Sequence, residues 1–384
     1  MRNAPVLRFA GFEGEWESKR LKSLIMDIGT GSSKFNFIEG VYPILGSTGV
    51  IGYDDQFDYD GNFILIARVG ANAGTLYKYN GKVKISDNTI FIKTKNQEYV
   101  YNLLLKKDLT RLIFGSGQPL VKSSELKDLH VIYTKNEGEQ YKIGDLFRKI
   151  DDLIEIQESK VSKIEAFKKS MLQKMFPKKD EFIPEFRFDG FDGEWKENKL
   201  SEIGDTYTSL SGKSAEDFGH GEASYVTYMN VYKNPIADVN DLGNIEKDSK
   251  QNDVLNGDFF FTTSSETPEE VGLSSAWMYD KPNVYLNSFC FGFRPIINID
   301  TSFFAYFFRS ENFRRKVVML AQGSTRFNIS KKYIMDILVR YPSLEEQEKI
   351  GNFFKNLDAQ IENEEKLLES YKYMKKSLLQ KMFV

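Results

Sequence analysis

Residues 140–176 read QYKIGDLFRKIDDLIEIQESKVSKIEAFKKSMLQKMF, and residues 347–383 read QEKIGNFFKNLDAQIENEEKLLESYKYMKKSLLQKMF. The two stretches agree at 17 of 37 positions without a gap. In the first, Ile143, Phe147, Ile150, Ile154, Val161, Ile164, Met171 and Met175 fall on alternating spacings of three and four, with Gln157 and Lys168 completing the row. In the second, Ile350, Phe354, Leu357, Ile361, Leu368, Tyr371, Leu378 and Met382 stand at the equivalent places. A period near 3.5 over five heptads predicts a coiled-coil helix, because it keeps one apolar seam facing a partner helix. Charges such as Glu155, Glu158, Lys160 and Lys163 lie between the seam positions and suit a solvated face. Pro177 stops the first helix, and Pro342 with Ser343 announces the second. Each helix would be a rod of roughly 55 Å at 1.5 Å per residue. Two such rods in one chain pack most simply against each other, antiparallel, with a pseudo-twofold axis between the modules they carry. A helix pair that only dimerises the protein fits the periodicity equally well.

A shorter echo frames the repeat. RFAGFEGEW at residues 8–16 returns as RFDGFDGEW at residues 187–195. Trp16 maps to Trp195 at an offset of 179, whereas Phe176 maps to Phe383 at an offset of 207. Each copy therefore holds a block of variable length between constant segments. The expected boundaries are 1–135 for the first module, 136–180 for its helix, 181–341 for the second module and 342–384 for its helix.

The variable blocks, roughly 22–134 and 201–340, read as strands and turns. Residues 61–68 and 257–264 are matching turn-then-strand units, each followed by a glycine-containing loop, VGANAGTLYKY or SETPEEVGLSSAW. A further strand region follows, VKISDNTIFIK in one block and VYLNSFCFGFRP in the other. The segments 115–128 and 323–336 also align. The expected fold class is α+β, with two β-rich modules and two long antiparallel coiled-coil helices in an internal repeat. Loops on such a scaffold are where recognition normally resides.

Bulk properties narrow the function. A chain of 384 residues suffices for two or three domains. No apolar run approaches the roughly 20 residues needed to span a bilayer, and the start of the chain lacks a signal-peptide pattern. Cys290, the one cysteine, reads as a small buried hydrophobe. The expectation is a cytoplasmic protein without membrane contact. A net charge of −3 is unusual for a freestanding nucleic-acid binder but allows a basic face balanced elsewhere.

Catalytic patterns are missing. His130 and His220 lack the neighbours of a metal site or triad. Gly212-Lys213-Ser214 resembles the end of a P-loop, but Tyr207 occupies the place of the required first glycine. The cluster 218–221 follows no expected strand, so it is not a dinucleotide fingerprint. Glu125-Leu126-Lys127 has nuclease-like spacing, yet reads better as a solvent-facing helical turn.

The RFxGFxGEW lead-in, the strand units, and the paired helices running from Gln-x-Lys-Ile-Gly to Leu-Gln-Lys-Met-Phe resemble the specificity subunit of type I restriction–modification systems over essentially the whole chain. That resemblance implies two target-recognition domains, each reading one half of a bipartite, asymmetric site in double-stranded DNA. It implies helices that set the unread gap and dock two modification (methyltransferase) subunits, with restriction subunits joining the assembly. It places S-adenosylmethionine in the methyltransferase partners and ATP with Mg in the restriction partners, leaving this chain non-catalytic and without a cofactor or metal. The alternative is a non-catalytic coiled-coil adaptor with two β-rich binding domains.

Glycine turns and base-reading side chains mark the expected DNA contacts. In the first block these are Gly46, Ser47, Thr48, Arg68, Asn72, Gln118 and Lys122, and in the second Ser211, Lys213, Asn230, Ser264, Ser265, Thr267 and Arg326. Arg326 stands where the first copy has Gln118, and both residue types read base edges. The expected docking residues are Ile143, Phe147, Ile150, Ile154, Ile350, Phe354, Leu357 and Ile361.

Overall fold

The computed structural model describes residues 3–34, 40–114, 119–323 and 326–384. The apolar rows become two long helices, Glu137–Lys174 and Leu344–Met382. Burial follows the seam: Ile143, Phe147, Ile150, Gln157, Val161 and Met175 are buried on the first, and Ile350, Phe354, Leu357 and Met382 on the second. This corrects the docking assignment. Ile143, Phe147, Ile150, Ile350, Phe354 and Leu357 are covered by the chain's own core, and Ile154 and Ile361 are half-buried in the same row, so they hold this chain together rather than face a partner.

The chain divides into two compact units, Met1–Ser159 with Glu365–Val384, and Lys160–Glu364. Each unit thus owns one β-rich module, the first half of one long helix and the last half of the other. Within the first unit the helix halves run antiparallel: Phe147 meets Phe383 at 5.7 Å between ring centres, Asp151 pairs with Lys375 at 2.6 Å, and Glu158 with Lys372 at 3.0 Å. Within the second, Phe354 stacks on Phe176 at 5.9 Å, Asp358 pairs with Lys168, and Glu364 with Lys160 at 2.6 Å. Asp151 and Asp358 are equivalent in the repeat, as are Lys168 and Lys375. The same charge pair therefore sets the register twice.

In the first unit, six strands lie in the order Asp27–Thr30, Thr89–Lys93, Tyr59–Ala67, Leu76–Ile85, Tyr42–Gly46 and Gly49–Asp54. All neighbours are antiparallel except Leu76–Ile85 with Tyr42–Gly46. Alternation along the central strand explains its burial on both faces. Phe63 and Leu65 join one apolar cluster with Phe91 and Val83, while Ile64 and Ile66 join another with Tyr99 and Leu103 of the helix Gln97–Lys107. The second unit splits the same theme into a four-stranded sheet (Gly204–Tyr207, Cys290–Pro295, Phe259–Thr262, Ser274–Ala276) and a three-stranded one (Leu242–Ile245, Phe218–Val226, Val284–Leu286). Its phenylalanines concentrate in one core, with Phe259, Phe261, Phe291, Phe293, Phe303, Phe304, Phe307 and Phe308 all buried.

The constant lead-ins explain why they are constant. Arg8 donates two hydrogen bonds to Glu139, at 2.6 and 2.9 Å, and a third to the Gly14 carbonyl. Arg187 repeats the arrangement on Glu346 and Gly193. Both carboxylates are fully buried, so each guanidinium is their compensating charge. Trp16 packs edge-on against Phe383, and Trp195 against Phe176. Each lead-in thus grips the start of its own module's long helix by charge and the end of the other copy's helix by aromatic contact.

Gly351 shows how tightly the second helix sits on its module. A Cβ there would come within 2.4 Å of Asp300 Oδ1 and 2.7 Å of the Phe303 nitrogen, the two atoms that form the cap of the helix Thr301–Phe307. Replacing Gly351 by Ala should destabilise the protein, because overpacking costs about 1–3 kcal/mol and the helix propensity of alanine returns only about 1. Thermal unfolding checks this: a midpoint at or above wild type would contradict so close a contact.

Candidate nucleic-acid interface

Among the described residues, no group of three or more His, Cys, Asp or Glu side chains is arranged to hold a metal ion, and no helix is long and apolar enough to cross a membrane. Among the described residues, most of the polar side chains singled out from the sequence fall instead at loop ends of the two modules.

In the first unit, several loops meet at one end of the sheet. Arg68 follows the central strand; its backbone N–H donates to the Asn88 carbonyl at 2.9 Å, and its guanidinium donates to the Asp87 carbonyl at 3.0 Å. Ser47, at the tip of the hairpin 42–54, donates its hydroxyl to the same Asn88 carbonyl at 3.1 Å. Val121 N–H donates to the Arg68 carbonyl at 2.9 Å, which brings exposed Lys122 to this end. Thr48 and Asn72 are exposed on adjoining turns. Gly46 is buried, and a Cβ there would strike the Ile51 side chain at 2.6 Å, so its role is close packing rather than contact. Gln118 lies outside the described residues.

The second unit repeats this knot with different side chains. Thr263 N–H donates to the Phe289 carbonyl at 3.0 Å, and Ile329 N–H donates to the Thr263 carbonyl at 3.0 Å. Thr263, rather than Ser264, is therefore the structural counterpart of Arg68. Just beyond it, Ser264–Ser265 pairs with Phe327–Asn328 in a two-stranded ribbon. The ribbon borders a cavity of about 500 Å³ lined by Tyr228, Met229, Tyr232, Ser264, Ser265, Glu266, Glu270, Phe289 and Arg326. Its floor is firmly held. Glu270 accepts from Tyr232 at 2.5 Å and from Ser265 at 2.9 Å, bonds that keep its carboxyl below the usual range. Tyr228 donates to the Ser264 carbonyl at 3.1 Å and stacks on Tyr232. Thr267 is exposed on the following turn.

Three second-block expectations change. Asn230 is fully buried, donating to the carbonyls of Asp238 and Asp241 and accepting from Asp238 N–H, so it braces a loop and does not reach solvent. Lys213 lies 2.9 Å from the Asp248 carboxylate and is largely covered. That carboxyl is held well below its usual range by Gln251, Lys250 N–H and Lys213, so this cation is already neutralised. Ser265 spends its hydroxyl on Glu270. Ser211 is exposed but belongs with Gln251 to the cluster around Asp248, not to the ribbon.

Sequence reasoning missed Asp87, Asn88, Glu266 and Phe289. Their loops are visible as turns, but the hydrogen bonds that gather those turns join residues 19 or more apart in sequence. It also missed Arg309, whose guanidinium donates to the carbonyls of Ser274, Tyr232, Val231 and Asn234. Burial lowers its pKa to about 10. This side chain ties the short helix Tyr228–Lys233 behind the cavity to the strand Ser274–Ala276.

A family model described as type I restriction modification DNA specificity domain matches residues 13–166 and 192–372. The EcoprrI specificity subunit of Escherichia coli is 26% identical over 157 residues, which is 38% of this chain and 39% of that protein. The MjaVIII specificity subunit of Methanocaldococcus jannaschii is 24% identical over 357 residues, covering 83% of this chain and 77% of that protein. The crystal structure of a type I restriction–modification S subunit from M. genitalium superposes with a TM-score of 0.67 at 19% identity, covering 99% of both chains. A chain from structural work on assembly and conformational transition of the type I R-M system gives 0.54 at 14% identity, covering 96% of this chain and 97% of that one. These likenesses to solved structures speak to the fold.

Arg309→Met should orphan several buried carbonyls and destabilise the second unit by about 3 kcal/mol, the scale of two or three lost acceptor partners. Amide exchange should quicken at 228–234 and 274–276 while the sheet of the first unit keeps its protection. Unchanged exchange in those segments would contradict the bracing role.

Proposed function

We propose that this chain, which belongs to the type I restriction modification DNA specificity family, reads a bipartite duplex site with its two modules while partner subunits perform the chemistry. DNA sequence specificity is the business of that family. The observation that carries the reading is the repeated knot. The same backbone hydrogen bonds join strand end, turn and loop in both units, yet they present Arg68, Ser47 and Lys122 in one and Thr263, Glu266 and Arg326 in the other. A constant platform with unlike side chains suits two different half-sites.

In this reading the chain itself is non-catalytic. Two modification subunits would supply S-adenosylmethionine-dependent adenine methylation, and restriction subunits would supply ATP- and Mg-dependent cleavage. Since the seam residues are covered, docking falls to outward-facing apolar side chains of the long helices. Leu153, Ile156, Leu367 and Tyr373 of the first unit are the best placed, all exposed where a solvated helix would carry charge. Exposed Lys122 and the tips at Thr48 and Asn72 would meet DNA, with Lys122 serving the phosphate backbone.

The net charge of −3 supplies little general attraction for DNA. The isolated chain should therefore bind duplex weakly, and specific binding should emerge with modification subunits present. Co-expression with a competent modification subunit, followed by sequencing for methylated adenine, should return gapped two-part motifs with unlike halves. A contiguous motif, or none, would sink the proposal. In the same complex Lys122→Ala should weaken all duplexes alike and lower the slope of log affinity against log salt by about 0.9, the share of one phosphate contact.

A further inference from the structure

The two-stranded ribbon of the second unit ends beside two opposite charges. Ser264 pairs with Asn328 and Ser265 with Phe327, and Glu266 and Arg326 are the residues that flank this last pair, each at a bend where the pairing stops. Both residues are exposed and both line the mouth of the 500 Å³ cavity. Among the described residues neither side chain makes a hydrogen bond, and they are not ion-paired to each other. Two unlike charges at the same end of a ribbon would ordinarily close into a pair. Here they stand open above a braced floor.

We infer that Glu266 and Arg326 together read one G·C base pair in the second half-site. The inference rests on the DNA-reading function proposed above. A guanidinium matches guanine O6 and N7 with two parallel N–H donors, and a carboxylate accepts from the cytosine N4 amino group. The two bases of one pair present these groups side by side in the major groove, which admits a two-stranded ribbon. An A·T pair fits worse in either orientation. With Arg326 over adenine, the guanidinium meets the N6 amino donor and Glu266 meets the thymine O4 acceptor; with Arg326 over thymine, O4 takes one N–H but the C5-methyl stands where guanine offers N7, so the bidentate contact is lost.

The supporting residues fix the reader in place. Tyr228 holds the Ser264 carbonyl, Ser265 is tied to Glu270, and Ile329 N–H anchors the far strand to Thr263. Ordering costs are therefore met before DNA arrives, which is the condition for a short ribbon to discriminate. Phe289 and Met229, exposed at the rim, add apolar surface beside the pair.

The test uses the full chain assembled with its modification subunit. Methylome sequencing of wild type, Arg326→Gln and Glu266→Gln should show one G·C position of the second half-site relaxing in both variants, with the first half-site and the gap unchanged. Binding to duplexes altered at that pair should show wild type discriminating by about 5- to 150-fold, the range of one good bidentate contact, and the variants by much less. Replacing that guanine by 7-deazaguanine, which removes N7, should weaken wild type and leave Arg326→Ala unaffected. Relaxation at two different positions, or an unchanged second half-site, would overturn the pair reading while leaving the bipartite function standing. Loss of all methylation by a variant that still binds its modification subunit would assign Arg326 to the phosphate backbone and overturn it too. If wild type yields no bipartite motif, the underlying function fails first.

Discussion

Everything in this chain depends on how the ends of the long helices are held. Phe383, at the end of the second helix, packs on Trp16, Tyr99 and Phe147 of the first unit. Phe176, at the end of the first, packs on Trp195, Phe303 and Phe354 of the second. Each unit is completed by a piece of the other copy. The aromatic lock closes one side of each lead-in and a buried arginine–glutamate pair closes the other. Removing either partner of such a pair leaves an uncompensated buried charge, a cost of about 3–5 kcal/mol. That is a strong reason for the frame to be repeated almost letter for letter.

The same logic frees the modules to differ. Only a few groups must stay put for a module to fit: the capping residue under Gly144 or Gly351 and the aromatic under the terminal Phe. Asn96 and Asp300 cap equivalent helices although they are different residues, and Tyr99 and Phe303 fill equivalent places. Beyond those points the first module keeps one six-stranded sheet while the second splits its strands between two sheets. The 28-residue excess of the second copy is spread through the second module: Arg68 answers to Thr263 at an offset of 195 against 179 at the tryptophans, so 16 of the extra residues precede that strand end and the rest follow it. The reading ends vary most of all, since they are loops joined by backbone hydrogen bonds that accept any side chain.

Much of this was legible in the sequence, for physical reasons. Seam positions such as Ile143 and Phe354 announce themselves because burial on a helix has a fixed period, and Phe63–Ala67 announces itself because a strand covered on both faces must be apolar throughout. Side-chain roles were less legible. Asn230 looks like a base reader by type, but a buried amide is worth more as a brace for four backbone and side-chain groups. Lys213 looks like a phosphate contact until Asp248, 35 residues away, claims it. The seam residues stand among the expected docking residues because the resemblance implies helices that dock partner subunits, whereas their period already points to the other helix of the same chain. Glu266 was passed over because its meaning comes from the strand opposite.

A constant frame bearing variable modules makes one demand that can be tested directly. Seven residues added to both long helices, between Ser159 and Lys160 and between Glu364 and Glu365, preserve the seam and every lock within each unit. Methylome sequencing of that variant with its modification subunit should show both half-sites unchanged and a different gap between them, or no methylation where the longer gap cannot be served. A change in the bases of either half-site would contradict the account.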